Sequence, residues 1–129
     1  MYIIKTIDLV KDYLASEGFR YKEDELGNIH FRYKGFNLFC VNDEKDSSYL
    51  QIMIPNIYDV KKDRIKGLEV ANKITRDTKV LKAVLVENQL WLSIELLLDT
   101  TPNIKDFFMR CVDILCKGYG YVAQEYLNQ

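Results

Sequence analysis

The chain has 129 residues, of which 48% are apolar and 29% charged, a composition that builds one globular domain with its own core and excludes wholesale disorder. Against 18 basic side chains stand 19 acidic ones, for a net charge of −1. The basic excess that gives nucleic-acid binders most of their affinity is missing, so a generic nucleic-acid role is disfavoured.

The first element reads as a helix. Thr6 is placed to cap it, Ile7, Val10, Tyr13 and Leu14 form an apolar stripe, and Gly18 can end it in a left-handed conformation. Alternation follows: Ile29, Phe31 and Tyr33 interleave with His30 and Arg32, the pattern of a half-buried strand. Lys34-Gly35 supplies a tight turn, and Phe36, Leu38 and Cys40 continue the alternation on a returning strand. Asn42 to Ser48 is polar, hence a loop. A third strand is expected from Tyr49 to Ile54, stopped by Pro55-Asn56.

From Asp59 to about Lys79 the period turns helical. Ile65, Leu68, Ala71, Asn72 and Thr75 line one side, with Lys62, Lys66, Lys73 and Arg76 largely away from it, and Glu69 to Lys73 is an i,i+4 pair. Two apolar runs then hinge at Glu87-Asn88-Gln89 as a hairpin. In its second strand Leu90, Leu92, Ile94 and Leu96 face one way, and Trp91, Ser93 and Glu95 the other. Thr100-Thr101 can cap a final helix with Pro102 in its first turn. Its stripe of Ile104, Phe108, Cys111, Leu115, Tyr119, Val122 and Tyr126 survives Gly118 and Gly120. The order α-β-β-β-α-β-β-α predicts a single α+β domain over residues 1–129, with a five-stranded, mainly antiparallel sheet whose strand order stays open.

Compartment follows from what the sequence lacks. Lys5, Asp8, Lys11 and Asp12 break the start, which cannot serve as the apolar heart of a signal peptide. No run approaches the ~20 apolar residues needed to span a bilayer. Cys40, Cys111 and Cys116 are odd in number and show no paired spacing, which suits reduced thiols. A cytoplasmic protein without a membrane partner is expected.

The element order, with Val70-Ala-Asn-Lys-Ile-Thr closing the middle helix and Leu90-Trp-Leu-Ser-Ile-Glu on the last strand, resembles the YbjN-like family, which shares the fold of type III secretion chaperones. The resemblance runs over nearly the whole chain and is most specific from Val70 to Asp99. It implies that fold and a protein-binding character. Such proteins are sensory-transduction regulators or chaperone-like modules, and the secretion chaperones dimerise and bind extended segments of client proteins. It implies no catalytic residue and no cofactor.

The residues themselves offer little chemistry. His30 is the only histidine, and Arg32 two residues on shares its face, which does not suit a proton acceptor. Cys111 and Cys116 lie about 140° apart around a helix and do not converge on one metal, so no metal site is expected and the thiols read as small hydrophobes. The runs Glu23-Asp24-Glu25 and Asp43-Glu44-Lys45-Asp46 lack calcium-loop spacing and read as solvated loops. Asn72, close to the apolar side of its helix, is expected to satisfy backbone groups, so that Asn72→Ala would cost ~1–3 kcal/mol. The lysines of the middle helix read as a solvated face.

One surface stands out. With the apolar alternates turned to the core, the opposite sheet face carries Arg32, Phe39, Tyr49, Gln51, Met53, Trp91, Ser93 and Glu95, beside His30 and Asn37. Aromatics and Met among a few polar groups make up recognition surfaces rather than plain solvated sheet. Three coverings compete: another protein or peptide segment, a second copy of the chain in a homodimer, or a loop or helix tail of the chain itself. The expected function is a non-enzymatic, chaperone-like or regulatory protein-binding module. A structural self-association domain with no client is the alternative, and a small enzyme comes third.

Overall fold

The structure, a computed structural model, describes residues 5–127. In chain order its elements are α1 (Thr6–Ser16), β1 (Tyr21–Glu23), β2 (Ile29–Tyr33), β3 (Phe36–Val41), β4 (Tyr49–Asp59), α2 (Arg64–Asp77), β5 (Lys82–Val86), β6 (Gln89–Leu97), a 3-10 turn (Ile104–Asp106) and α3 (Phe108–Leu127). The expected α+β architecture holds, with six strands rather than five. They run in the order β1-β2-β3-β4-β6-β5, and every neighbouring pair is antiparallel. The additional strand, β1, is the three residues Tyr21-Lys-Glu, too short and too polar to show alternation.

All three helices cover one face of the sheet. Val10 and Leu14 of α1, Val70 and Ile74 of α2, and Phe108, Val112 and Leu115 of α3 meet Ile29, Leu38, Ile52, Leu92 and Ile94 in a single apolar core. Among the described residues the other sheet face carries no helix. One turn and one crossover set the strand arrangement that makes this possible. Lys34 (φ 51°) and Gly35 (φ 83°) form the two-residue β2–β3 connection, both in the left-handed region that tight hairpins require. The α2 crossover places β5 one strand beyond β4, and β6 returns between them.

Four expectations are corrected. Thr6 is not the cap of α1: it is the first helical residue, buried, and its hydroxyl bonds the Ser47 carbonyl, tying the helix to the β3–β4 loop. β4 does not stop at Pro55-Asn56 but continues to Asp59 across a register shift between Ile54 and Tyr58. A bulge tolerates the proline's missing N–H, and Asn56 takes φ 54°, which asparagine bears better than most residues. The last helix starts at Phe108, after a separate 3-10 turn that still buries Ile104.

The fourth concerns α2, capped by Asp63, whose carboxylate accepts from the Lys66 amide at 3.0 Å. Its buried residues are Gly67, Val70, Ala71 and Ile74, while Ile65 and Leu68 are 72% and 51% exposed. The stripe is therefore rotated from the expected one. Asn72 is exposed and serves no backbone group, and Lys73 pairs with Glu125 on α3 at 2.5 Å rather than with Glu69. Thr75 does what Asn72 was expected to do: its hydroxyl accepts from the Ala83 N–H at 2.9 Å and bonds the Ala83 carbonyl at 3.3 Å.

The rotation has a packing cause at Gly67. A Cβ there would lie 2.7 Å from both Cβ and Cγ1 of buried Val60 and 2.9 Å from its Cγ2, atoms held close to the backbone with no flexible end to yield. Gly120, in α3, has nothing within 4 Å of the same position. Identical substitutions should therefore act in opposite directions. Gly67→Ala is expected to destabilise by about 1–2 kcal/mol net of its better helix propensity, and Gly120→Ala to stabilise by ~0.5–1 kcal/mol. Urea unfolding of both variants checks this, and a stabilised Gly67→Ala would refute the close packing.

Candidate functional site

The helix-free face is built by the outward alternates of six strands. Register places Lys22, His30, Phe39, Met53, Ser93 and Lys82 in one row across β1, β2, β3, β4, β6 and β5. A second row joins Val41, Gln51 and Glu95, and a third pairs Tyr49 with Leu97. Toward the other end lie Arg32 opposite Asn37, and Trp91 opposite Val84. All eight residues singled out from the sequence thus stand on one face, as alternation requires.

They are not equally open. Met53 and Ser93, in the middle of the central row, are buried at 9% and 3% exposure, so neither is open to a partner as expected. Phe39, Tyr49, Gln51 and Trp91 are half-buried, and Arg32 and Glu95 exposed. Leu97, 81% exposed beside Tyr49, and Val84 and Val86 on β5 add apolar surface that the sequence reading passed over. The outward parity of β6 was enough to find Leu97.

Each end of the face has its own chemistry. Trp91 is fixed by its indole N–H, which donates to Asn56 Oδ1 at 3.0 Å, so the β4 bulge orients the largest side chain of the face. Glu95 gathers a small polar network: Lys82 Nζ lies 3.3 Å from its carboxylate and Gln51 Nε2 3.5 Å. Partial burial, then the Glu95 carboxylate beside it, pushes the Tyr49 hydroxyl up to about 12. It stays protonated and available as a donor.

At the β1–β2 end His30 lies over Phe39 with ring centroids 3.8 Å apart, and its Nε2 is 2.9 Å from Asp24 Oδ2. Asp24 also accepts from the backbone amides of Leu26 and Asn28 and from the Asn28 side chain. The His30 hydrogen bond, and after it those amides, hold the Asp24 carboxyl down at about 2. The acidic run there is no mere solvated loop: Asp24 knots the turn and Glu23 pairs with Lys11 at 3.0 Å. His30 is thereby engaged, and among the described residues no Ser, Thr or Cys side chain hydrogen-bonds to it. Burial raises all three cysteine thiols, Cys40 most, away from the thiolate a Cys-His pair would use. Among the described residues no three His, Cys, Asp or Glu side chains converge on a metal position. No described helix is long and apolar enough to cross a membrane.

No protein-family model matches the chain, and no curated protein matches it by sequence. Solved structures do match it in shape. YbjN from E. coli, a candidate transcription regulator, superposes with a TM-score of 0.71 at 12% identity, over 98% of this chain and 97% of its own. An uncharacterized protein from Methanothermobacter thermautotrophicus gives 0.66 at 13% identity, over 92% and 96%. The Yersinia pestis type III secretion chaperone SycH, solved in complex with a stable fragment of YscM2, gives 0.53 at 12% identity, over 85% and 96%. At such identities the likeness establishes architecture: this chain has a YbjN-like, type III secretion chaperone-like fold.

Proposed function

We propose that the chain is a non-enzymatic, cytoplasmic module of the chaperone-like or regulatory kind, homodimeric, which binds a segment of another protein across its open sheet face. The observation that carries this is the helix-free face with Phe39, Tyr49 and Trp91 standing on it, Trp91 held in place by Asn56. Rigid, oriented aromatics are the anchors that dominate protein–protein affinity. The similar SycH structure holds a protein fragment, which favours a protein partner over a small ligand. Strand addition at the β5 edge is disfavoured, because the Thr75 hydroxyl already occupies both outward backbone groups of Ala83.

Support for a homodimer comes from apolar surface elsewhere, the exposed pair Ile65 and Leu68 on α2. A self-association domain with no client draws on the same pair. Two measurements decide. Tagged protein recovered from its native cells should bring down a defined polypeptide, and the Trp91→Ala/Tyr49→Ala variant should lose it while keeping its circular dichroism. Unchanged capture by that variant would remove the sheet face from the mechanism. Light scattering that returns the mass of one chain would remove the dimer.

A further inference from the structure

Charge is spread unevenly over this molecule. At the β1–β2 corner of the open face lies a hollow of about 800 Å³ lined by Arg20, Lys22 and Arg32, with His30, Asn37 and Phe39 among its walls. Among the described residues no carboxylate lines it. An adjoining hollow of about 620 Å³ shares His30, Asn37 and Phe39, adds Lys34, and has no described carboxylate in its lining either, whereas two hollows elsewhere are mixed or acidic. A groove of about 870 Å³ between α2 and α3 sets Asp77, Asp113 and Glu125 among its four cations, and the hollow beside α1 carries Asp43, Glu44 and Asp46. Of the three acids that follow Lys22, Glu23 pairs with Lys11 and Asp24 with His30, while Glu25 is exposed and pairs with no described residue.

Arg20, Lys22 and Arg32 are exposed and form no ion pair with any described residue. Lys22 lies opposite His30, so Arg32, two residues on, is its diagonal neighbour on the same face. Like charges at that spacing repel, and an anionic partner relieves the repulsion. Two of the three are arginines, whose planar forks match carboxylates. The His30–Phe39 pair gives the hollow an apolar floor.

We infer that this corner recognises an acidic, extended segment of another polypeptide, its carboxylates meeting Arg20, Lys22 and Arg32 and its apolar side chains resting on Phe39. The inference rests on the sheet face being the partner surface and adds the sign of the partner's charge. A polypeptide fits better than a nucleic acid. Three cations in a chain of net charge −1 release few counterions, and phosphate binding depends on that release.

The test is fluorescence anisotropy with a short labelled peptide alternating Glu and Val, its Lys-Val counterpart, and an oligouridine. The Glu-Val peptide should bind the wild-type protein, more weakly as salt rises toward ~0.3 M, and the Lys-Val peptide should not. The R20E/K22E/R32E variant should lose roughly tenfold or more in affinity for Glu-Val, with R20Q/K22Q/R32Q in between. All three positions are exposed, so melting curves should match wild type and confirm folding. Equal binding of both peptides, no binding of Glu-Val near ~1 mM, indifference to charge reversal, or preference for oligouridine would each overturn the inference. If the charge-reversed protein still captures the native partner while Trp91→Ala/Tyr49→Ala does not, the basic corner fails and the sheet-face reading stands.

Discussion

Phe108→Ala should lower stability by about 3–5 kcal/mol and the melting temperature by roughly 10–20 °C. Phe108 is fully buried at the start of α3. Its ring sits 5.4 Å from Tyr13 of α1 and 5.8 Å from Phe31 of β2. Phe31 in turn meets Phe19, which meets Tyr33, each at 6.0 Å. One side chain thus joins two helices to the sheet where α1, α3 and β2 converge. Truncation loses the transfer energy of the ring, two aromatic contacts of about 0.5–1.5 kcal/mol each, and leaves a cavity that three separate elements would have to close. Phe108→Leu, which keeps most of the volume, should cost less than half as much. Equilibrium unfolding in urea measures both, and a loss under ~2 kcal/mol for the alanine variant would mean the junction collapses easily. Phe108 itself does not line the hollow at the β1–β2 corner, so the leucine variant should still bind any partner of wild type.

The parts legible in the sequence are those where a local rule decided the outcome. Alternation from Ile29 to Tyr33 and from Phe36 to Cys40, hinged at Lys34-Gly35, fixed the β2–β3 hairpin before any tertiary contact was considered. Parity along Leu90 to Leu96 likewise fixed the outward direction of Trp91, Ser93 and Glu95. Where packing overrides pattern, the sequence misleads. On α2 the apolar Ile65 and Leu68 face solvent while Gly67 faces the core, because the helix is pressed onto Val60 and only a residue without a side chain fits. Met53 and Ser93 are buried on the interior strands β4 and β6, and strand order is what one strand's alternation cannot reveal. Arg20 and Lys22 escaped notice for a related reason. They reach the face only because Tyr21–Glu23 pairs with β2, and a three-residue strand has no periodicity to announce it.

Thr75→Val should cost ~1–3 kcal/mol although it changes neither shape nor volume appreciably. The hydroxyl serves both outward-facing groups of Ala83, the N–H at 2.9 Å and the carbonyl at 3.3 Å, where α2 lies against β5. Thr75 itself is exposed, but Ala83 is buried at 7%, so valine would leave two backbone groups of a buried residue facing a methyl, and an unmet donor or acceptor costs more there than the bond itself contributes. Thr75→Ser should recover most of the loss. Asn72→Ala, on the exposed side of the same helix, should change stability by no more than ~0.5 kcal/mol. The second consequence concerns the sheet. β5 is an outermost strand, and a donor and acceptor released at its centre form a short template for pairing with another chain. The valine variant is therefore expected to show concentration-dependent association that the serine variant lacks, measured by light scattering at matched concentration. A valine variant as stable and as monodisperse as wild type would show that α2 shields this edge by bulk alone, without need of the hydroxyl.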